Sequence, residues 1–151
     1  HGIPHFAISI GLLSKGEMKS GLIFDPIKNE MFYAEKNNGA FFNNERIRVS
    51  NKNELSECLF ATGGKKYNSI NEISTRKSGC AALDLAYVAS GRYDGYCQNN
   101  LNLWDIAAGL IILREAGGVI NDIDLSNHKN LNVIASSPNI NDKFIKKISN
   151  F

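Results

Sequence analysis

The first 50 residues alternate between apolar and polar side chains, a pattern typical of strands with one buried face. The alternation is most regular over residues 6–13, where Phe6, Ile8, Ile10 and Leu12 share one side. Turn-forming Gly, Pro and Asn residues separate the further strands that the pattern predicts, which are residues 18–24, 30–35, 40–42 and 46–49. This part of the chain is therefore predicted to be an antiparallel meander.

After residue 55 the apolar positions change their spacing. Apolar and small residues recur at helical intervals over residues 81–89 and 105–116, and again, opposite a polar face, over 142–148. The remaining apolar runs predict short strands at residues 58–62, 94–98, 119–123 and 131–136. We therefore predict an antiparallel-sheet layer over residues 1–55 and a C-terminal α/β layer over residues 56–151. No linker-like stretch separates them, so the two parts are expected to pack on one another.

Composition narrows the class of protein. With 151 residues, 43% of them hydrophobic, the chain is long enough for one core of ordinary domain size. The net charge of +2 comes from scattered basic residues, so nucleic acid is not indicated as a partner. No apolar run approaches the roughly 20 residues of a membrane span. Cys58, Cys80 and Cys97 form no C-x-x-C pair, which favours a reducing compartment and predicts a cytoplasmic protein.

Asp105 is the first candidate for chemistry, because it lies where a strand-like run ends and a helix of small residues begins. An Asp in that place has an ordinary explanation, since its carboxylate can accept the free N–H groups of the first helical turn and stabilise the helix by about 1 kcal/mol. A carboxylate there can also hold a metal ion. The neighbouring residues, Trp104 before it and Ala-Ala-Gly at 107–109, favour the second interpretation.

Residues 104–109 and 115–118 closely resemble the signature Trp-Asp-x-Ala-Ala-Gly, followed by Glu-Ala-Gly-Gly, of the inositol monophosphatase family of magnesium-dependent phosphatases. The resemblance runs along nearly the whole chain. It implies an α+β fold, a layered αβαβα sandwich of the inositol monophosphatase and fructose bisphosphatase type. It also implies that Asp105 is a ligand of Mg²⁺, an ion that suits carboxylate oxygens shared with a substrate phosphate. Glu115, about 15 Å farther along the helix, is predicted to be structural.

Residues 78–95 resemble the second long signature of the same family. In the family the backbone of a Gly-Ser/Thr-Ala segment contacts the ring hydroxyls of the substrate, which implies substrate contacts for Gly79, Cys80 and Ala81. The residues alone agree, because the free N–H groups at a helix start favour an anion or a hydroxyl-rich ligand. Cys80 replaces the usual hydroxyl residue, and without an identifiable partner it is interpreted as a small buried residue and not as a nucleophile.

Gln98 occupies the position where the family usually has a Glu that binds a substrate hydroxyl. An amide still donates and accepts hydrogen bonds, but it lacks the charge of a carboxylate and the stronger hydrogen bonds that the charge supports. Gln98 is therefore a candidate substrate-binding residue whose identity leaves the substrate open. A polar residue at the end of a strand, facing solvent, is the alternative interpretation.

The family's other acidic metal motif, Asp-Pro-x-Asp-Gly-Thr, does not occur in this chain. Asp25-Pro26 begins like it but continues differently, and resembles a structural turn of the family. Because the chain starts at His1 and the motif would lie upstream, we expect an N-terminally truncated fragment. Residues 63–78 are also shorter than the family pattern by about one helix. We assign no catalytic residue, and expect hydrolysis by this chain alone to be impaired or absent, because Mg²⁺ binds poorly to one carboxylate.

The resemblance implies hydrolysis of a small phosphorylated polyol, such as inositol monophosphate, by a homodimer. In the complete family enzyme, carboxylates hold magnesium ions around the phosphate, and a metal-activated water attacks phosphorus. Two alternatives stay open. One is a bisphosphate nucleotidase or fructose 1,6-bisphosphatase-like phosphatase; the other is a non-catalytic remnant or interaction module of the same fold.

Overall fold

The alternating N-terminal part forms a five-stranded antiparallel meander, in the order β1-β2-β3-β4-β5. We analysed a computed structural model of the chain, which describes residues 1–64 and 73–149. The strands of the first sheet are β1 (Ile8–Ser14), β2 (Glu17–Asp25), β3 (Glu30–Glu35), β4 (Gly39–Phe42) and β5 (Glu45–Arg46). Each strand pairs with its neighbour in the chain, because short turns connect them.

A second, mixed sheet has the order β7-β6-β8-β10-β9. Its strands are β6 (Leu59–Thr62), β7 (Ser74–Arg76), β8 (Gly95–Leu101), β9 (Val119–Ile120) and β10 (Leu131–Ser136). Strand β6 pairs in parallel with both β7 and β8, whereas β10 pairs antiparallel with β8 and β9. The helices are α1 (Ala81–Ala89), α2 (Leu103–Glu115) and α3 (Asn141–Ser149), with short 3-10 turns at Leu55–Glu57 and Pro138–Ile140.

Helices α1 and α2 lie between the two sheets and contact both of them. Helix α3 packs on the other face of the second sheet, where Phe60 stacks on Phe144 with 4.5 Å between ring centroids. Ala61, the next residue of β6, belongs to the inner core instead, as the alternation of a strand requires. The described residues therefore form a sheet, a helical layer, a second sheet and an outer helix. The boundary at residue 55 between two layers stays a prediction.

Most predicted elements agree with the structure, but two strands are shorter than predicted. The strand predicted at 46–49 ends at Arg46, and the N–H of Val49 donates to the carbonyl of Ala116, 3.2 Å away, beyond the end of α2. The strand predicted at 119–123 ends at Ile120. There the backbone N–H of Asn121 still donates to the carbonyl of Ile134 at 3.0 Å, but the N–H of Ile134 donates to the side-chain oxygen of Asn121 at 2.7 Å and not to its backbone carbonyl. Strand β7 was not predicted.

The outer face of the first sheet is apolar and uncovered by the described residues. Ile8, Ile10 and Leu12 of β1 are 52%, 60% and 56% exposed. Together with Leu22 and Tyr33 and other residues of β2 and β3, Ile10 and Leu12 border a groove of about 330 Å³ on this face. The inner face of the same sheet is covered, since Ile23 and its neighbours there are buried against α2.

No helix in residues 1–64 and 73–149 is both long and apolar enough to cross a membrane.

Substitutions on the two faces of this sheet are expected to differ strongly in their effect on stability. Ile23→Ala is expected to lower the free energy of unfolding by about 2–5 kcal/mol, because Ile23 is fully buried and the change leaves a cavity. The matched change Ile10→Ala, on the exposed face of the adjacent strand, is expected to cost less than about 1 kcal/mol. Urea denaturation followed by circular dichroism measures both. Equal losses would show that the outer face is covered in solution.

Candidate functional site

The site residues predicted from the sequence all line one cavity of about 590 Å³. Asp105 comes from the start of α2, Gly79, Cys80 and Ala81 from the start of α1, and Gln98 from β8. Other residues complete the wall: Ser9, Thr62 and Gly63 are distant in sequence from these, whereas Lys77 and Trp104 are their near neighbours in the chain. The structure thus brings the candidates together, although their individual roles stay predictions.

Asp105 is the third residue of α2 and not its first, because the helix begins at Leu103 with Asn102 as its N-cap. Its side-chain Oδ2 accepts the backbone N–H of Asn102 at 3.0 Å, so the ordinary capping role is present. The carboxylate is nevertheless half-buried at the wall of the cavity, and its other oxygen, Oδ1, is not used in the cap. Capping the helix and binding a cation are therefore compatible at Asp105.

The start of α1 presents backbone donors to the same cavity. Gly79 has a φ of +88°, a left-handed conformation that glycine adopts without strain, and Cys80 is the N-cap. The first N–H groups of a helix have no backbone partner within it, and the first two residues of α1, Ala81 and Ala82, lie at the cavity wall. The N–H of Ala82 also interacts with the Cys80 sulfur. The N–H of Cys80 donates to the Ser78 hydroxyl at 3.2 Å, which holds the turn before the helix.

A buried carboxyl group lies behind this turn. Asp84 is 1% exposed, and the Ser78 hydroxyl donates to its Oδ1 at 2.7 Å. Burial raises the pKa of Asp84 to about 7, and the hydrogen bond from Ser78 offsets only part of this effect. Asp84 therefore changes its charge near neutral pH, and its hydrogen bond with Ser78 links it to the turn at the start of α1.

The cysteines are not nucleophiles in this environment. Burial raises the pKa of the Cys80 thiol, and it raises the pKa of Cys58 to about 11 and of Cys97 to about 12. All three are unpaired. At neutral pH these thiols are protonated, so the interpretation of Cys80 as a small structural residue is supported.

Gln98 lies within β8, half-buried, and not at a solvent-facing strand end. The Tyr96 hydroxyl donates to its side-chain Oε1 at 2.8 Å. Its amide also lies directly over Gly63, where a Cβ atom would be 1.7 Å from Oε1. Any side chain at position 63 would therefore displace Gln98 from the cavity wall.

The model of the inositol monophosphatase family matches residues 1–151. The chain belongs to the inositol monophosphatase family. It is 43% identical to the fructose-1,6-bisphosphatase/inositol-1-monophosphatase of Thermotoga maritima, over 99% of this chain and 62% of that protein. It is 38% identical to the putative Nus factor SuhB of Neisseria meningitidis serogroup B, strain MC58, over 99% of this chain and 63% of that protein.

The fold of the inositol monophosphatase family is confirmed for the layers that the chain contains. The solved structure of the Thermotoga maritima IMPase superimposes with a TM-score of 0.90 at 39% identity, over 99% of this chain and 63% of that one. The chain thus spans less than two thirds of the length of these relatives. The α+β class predicted from the sequence is correct.

Two acidic residues have the structural roles that were predicted for them outside the cavity. Asp25 is fully buried and accepts the N–H groups of Ile27 and Lys28 at 2.9 and 3.1 Å, and the Lys28 ammonium at 2.8 Å. Burial alone would raise the pKa of Asp25, but these hydrogen bonds outweigh it and the pKa is lowered. Glu115 accepts the N–H groups of Asn37 and Gly39 at 2.8 Å each, which ties α2 to the turn before β4.

Some residues at the site were missed by sequence reasoning. Ser9 reaches the cavity from β1, and only the packing of the two sheets places it there. Thr62 is the last residue of a predicted strand and Gly63 follows it, and a polar or small residue at a strand end could have indicated the site. Tyr96 could not be recognised from the sequence, because its contribution is a hydrogen bond to the side chain of Gln98, two residues along the same strand.

Stability is expected to depend on pH through Asp84. Its pKa of about 7 in the fold exceeds the ordinary 3.8, so the folded chain binds more protons between these values. The free energy of unfolding should therefore fall as pH rises through this window. Asp84→Asn keeps an acceptor for the Ser78 hydroxyl but cannot ionise. The free energy of unfolding of this variant, minus that of the native chain, should therefore increase between pH 4 and pH 8. The increase should be a few kcal/mol, because one pKa unit corresponds to about 1.4 kcal/mol. Urea denaturation across this range measures it, and a constant difference would contradict the assignment.

Proposed function

We propose that this chain forms the substrate-binding part of a magnesium-dependent phosphatase that acts on a small phosphorylated polyol such as inositol monophosphate. One observation carries the proposal: Asp105, the start of α1 and Gln98 line a single cavity. A carboxylate for a cation and backbone donors for oxygen atoms then face the same ligand. Such convergence of a few polar groups in one concave site is typical of a binding site for a small molecule.

The chain's own groups suit the binding and orientation of a phosphate ester. The N–H groups at the start of α1 and the positive end of its dipole attract the oxygen atoms of the ligand. Lys77 adds a cationic side chain to the wall, and Gln98 adds an amide. Asp105 lies at the start of α2, so a cation there would approach the ligand from the adjacent helix.

A complete metal site does not follow from these residues. Within residues 1–64 and 73–149, no group of three or more His, Cys, Asp or Glu side chains is arranged to hold a metal ion. Magnesium requires near-octahedral oxygen coordination and retains waters when few carboxylates are present. Asp105 therefore fits as one ligand of Mg²⁺, and the chain alone is proposed to bind the ion weakly and to hydrolyse little. No step of catalysis is assigned to it.

Two other functions remain candidates because a specific observation favours each. The name of the Thermotoga maritima relative includes fructose-1,6-bisphosphatase, which favours a sugar bisphosphate as substrate. A non-catalytic remnant or interaction module is favoured by the single carboxylate at the cavity among the described residues. The bisphosphate nucleotidase alternative has no observation in its favour here.

The family resemblance supports two further parts of the proposal. The active form would be a homodimer, and the three unpaired cysteines are compatible with the proposed cytoplasmic location. The segment at 63–78, which we predict to be shorter than the family pattern, falls partly on residues 65–72, outside the described residues.

The proposed function predicts activity once the acidic motif is supplied. Residues 1–151 joined to an N-terminal segment that carries Asp-Pro-x-Asp-Gly-Thr should release phosphate from inositol 1-phosphate only with Mg²⁺. Asp105→Asn in this protein should lower kcat/KM by about 100-fold or more, because a ligand is worth at least as much as the groups that orient it. Asp122→Asn removes the same charge outside this cavity and should leave the rate unchanged. Phosphate release is measured colorimetrically, and its absence at saturating substrate and metal would count against the proposal.

Titration of the unextended chain with Mg²⁺ separates a phosphatase part from a remnant. Weak binding that Asp105→Asn abolishes and Asp122→Asn preserves is expected, and isothermal calorimetry or NMR shifts of the Asp105 amide would detect it. Tight binding by the native chain would contradict the remnant. Shifts that are identical in the native and Asp105→Asn proteins would remove Asp105 from the proposed metal site.

A further inference from the structure

Three hydrogen bonds join Ser78, Cys80 and Asp84 into one closed network at the start of α1. The Ser78 hydroxyl donates to Oδ1 of Asp84 at 2.7 Å, and its oxygen accepts the backbone N–H of Cys80 at 3.2 Å. The backbone N–H of Asp84 donates to the carbonyl of Cys80 at 2.9 Å, which is the first hydrogen bond of the helix. The network therefore ties the turn before α1 to the buried side of the first helical turn.

Asp84 determines the direction of the Ser78 hydroxyl. A serine hydroxyl has one hydrogen to donate and lone pairs with which to accept. Because Oδ1 of Asp84 takes the hydrogen, the lone pairs of the Ser78 oxygen are left for the N–H of Cys80. Asp84 is buried, and Leu83 and Leu85 beside it in the helix are fully buried, so this acceptor belongs to the core. A hydrogen-bond acceptor at position 84 therefore fixes the hydroxyl in this direction.

Packing around Gly79 does not hold the same turn. Gly79 is exposed with a φ of +88°, and a Cβ atom built on it would meet no atom of the described residues within 4 Å. Glycine loses more conformational freedom on folding than any other residue, and fixing one backbone residue costs about 1–2 kcal/mol. A hydrogen bond contributes about 0.5–1.5 kcal/mol, so the two that Ser78 makes are enough to offset this cost. The network therefore determines the conformation of the turn.

The residues that the network holds belong to the cavity wall. Gly79, Cys80 and Ala81 line the cavity, whereas Asp84 is not part of its wall. A misplacement of about 1 Å in groups that position a substrate can cost about 100-fold in rate. We infer that Asp84 is a positioning residue of the proposed substrate site, which acts through the Ser78 hydroxyl to hold the turn before α1 in its ligand-binding conformation. The inference rests on the proposed function and extends it to a residue that touches no ligand.

Titration of inositol 1-phosphate into the 151-residue chain tests the inference. Dissociation constants are measured by NMR with Mg²⁺ present at pH 6, where Asp84, with a pKa of about 7, is mostly protonated and an asparagine reproduces its charge. Asp84→Ala removes the acceptor and should weaken binding about tenfold, which is equivalent to about 1.4 kcal/mol. Asp84→Asn retains an acceptor oxygen and should stay within about twofold of the native chain.

A double variant shows whether Asp84 acts through Ser78. Ser78→Ala should weaken binding as much as Asp84→Ala, and the double variant should bind no more weakly than either single variant, because all three lack the same network. The amide proton of Cys80 reports on the network directly. It should exchange faster with water in the three weakened proteins than in the native chain, and Asp84→Asn should restore the native exchange rate.

Val88→Ala is the matched control for lost stability. It truncates a fully buried residue of the same helix, outside the network and outside the cavity wall, and should bind the ligand as the native chain does. Equal weakening in Val88→Ala and Asp84→Ala would show that a general loss of stability is the cause, and would overturn the inference.

The remaining outcomes separate the inference from the proposed function. Native affinity in Asp84→Ala, a comparable loss in Asp84→Asn, or additive losses in the double variant would overturn the inference and leave the proposed function standing. Absence of binding by the native chain would overturn both. Thermal unfolding shows whether each variant is folded, and if Asp84→Ala does not fold, Ser78→Ala compared with Val88→Ala decides.

Discussion

The close approach of α2 to the first sheet and to α1 is the constraint on which the site depends. A Cβ atom at Gly21 of β2 would be 2.7 Å from the carbonyl oxygen of Ala108, which is closer than real Cβ contacts. A Cβ atom at Gly109 would likewise be 2.6 Å from Leu85 of α1. With a larger side chain at either glycine, α2 would move outward, and the carboxylate at its start would move with it. The small residues at these positions therefore determine the position of the α2 backbone at the site, and they also allow the core to pack closely.

This packing brings two helix starts to one place. Helices α1 and α2 contact each other, and the first turn of each lines the same cavity. Strand β8 lies between them in the chain, and its residue Gln98 lines the same cavity as Cys80 and Asp105. In the proposed function, the donors of one helix and the carboxylate of the other would bind a single ligand, with a geometry that neither helix offers alone.

The sequence predicted elements well where the pattern was local. The helix at 81–89 and the strands at 30–35 and 131–136 have the predicted bounds. The prediction was wrong where another contact competes with the sheet, as when the N–H of Val49 donates to Ala116 and the N–H of Ile134 donates to the side chain of Asn121 instead of its backbone. Strand β7 forms by pairing with β6, and its three residues are too few to show a period of their own.

The sequence by itself determined the family and the α+β class, because both depend on local motifs. It also predicted the candidate site residues Gly79, Cys80, Ala81, Gln98 and Asp105. Only the tertiary structure decided that these residues share one cavity with Ser9 and Thr62. It also decided that Oε1 of Gln98 accepts the Tyr96 hydroxyl and lies against Gly63. The reason is physical: residue identity limits which hydrogen bonds a group can make, whereas its neighbours in space determine which of them are left for a ligand.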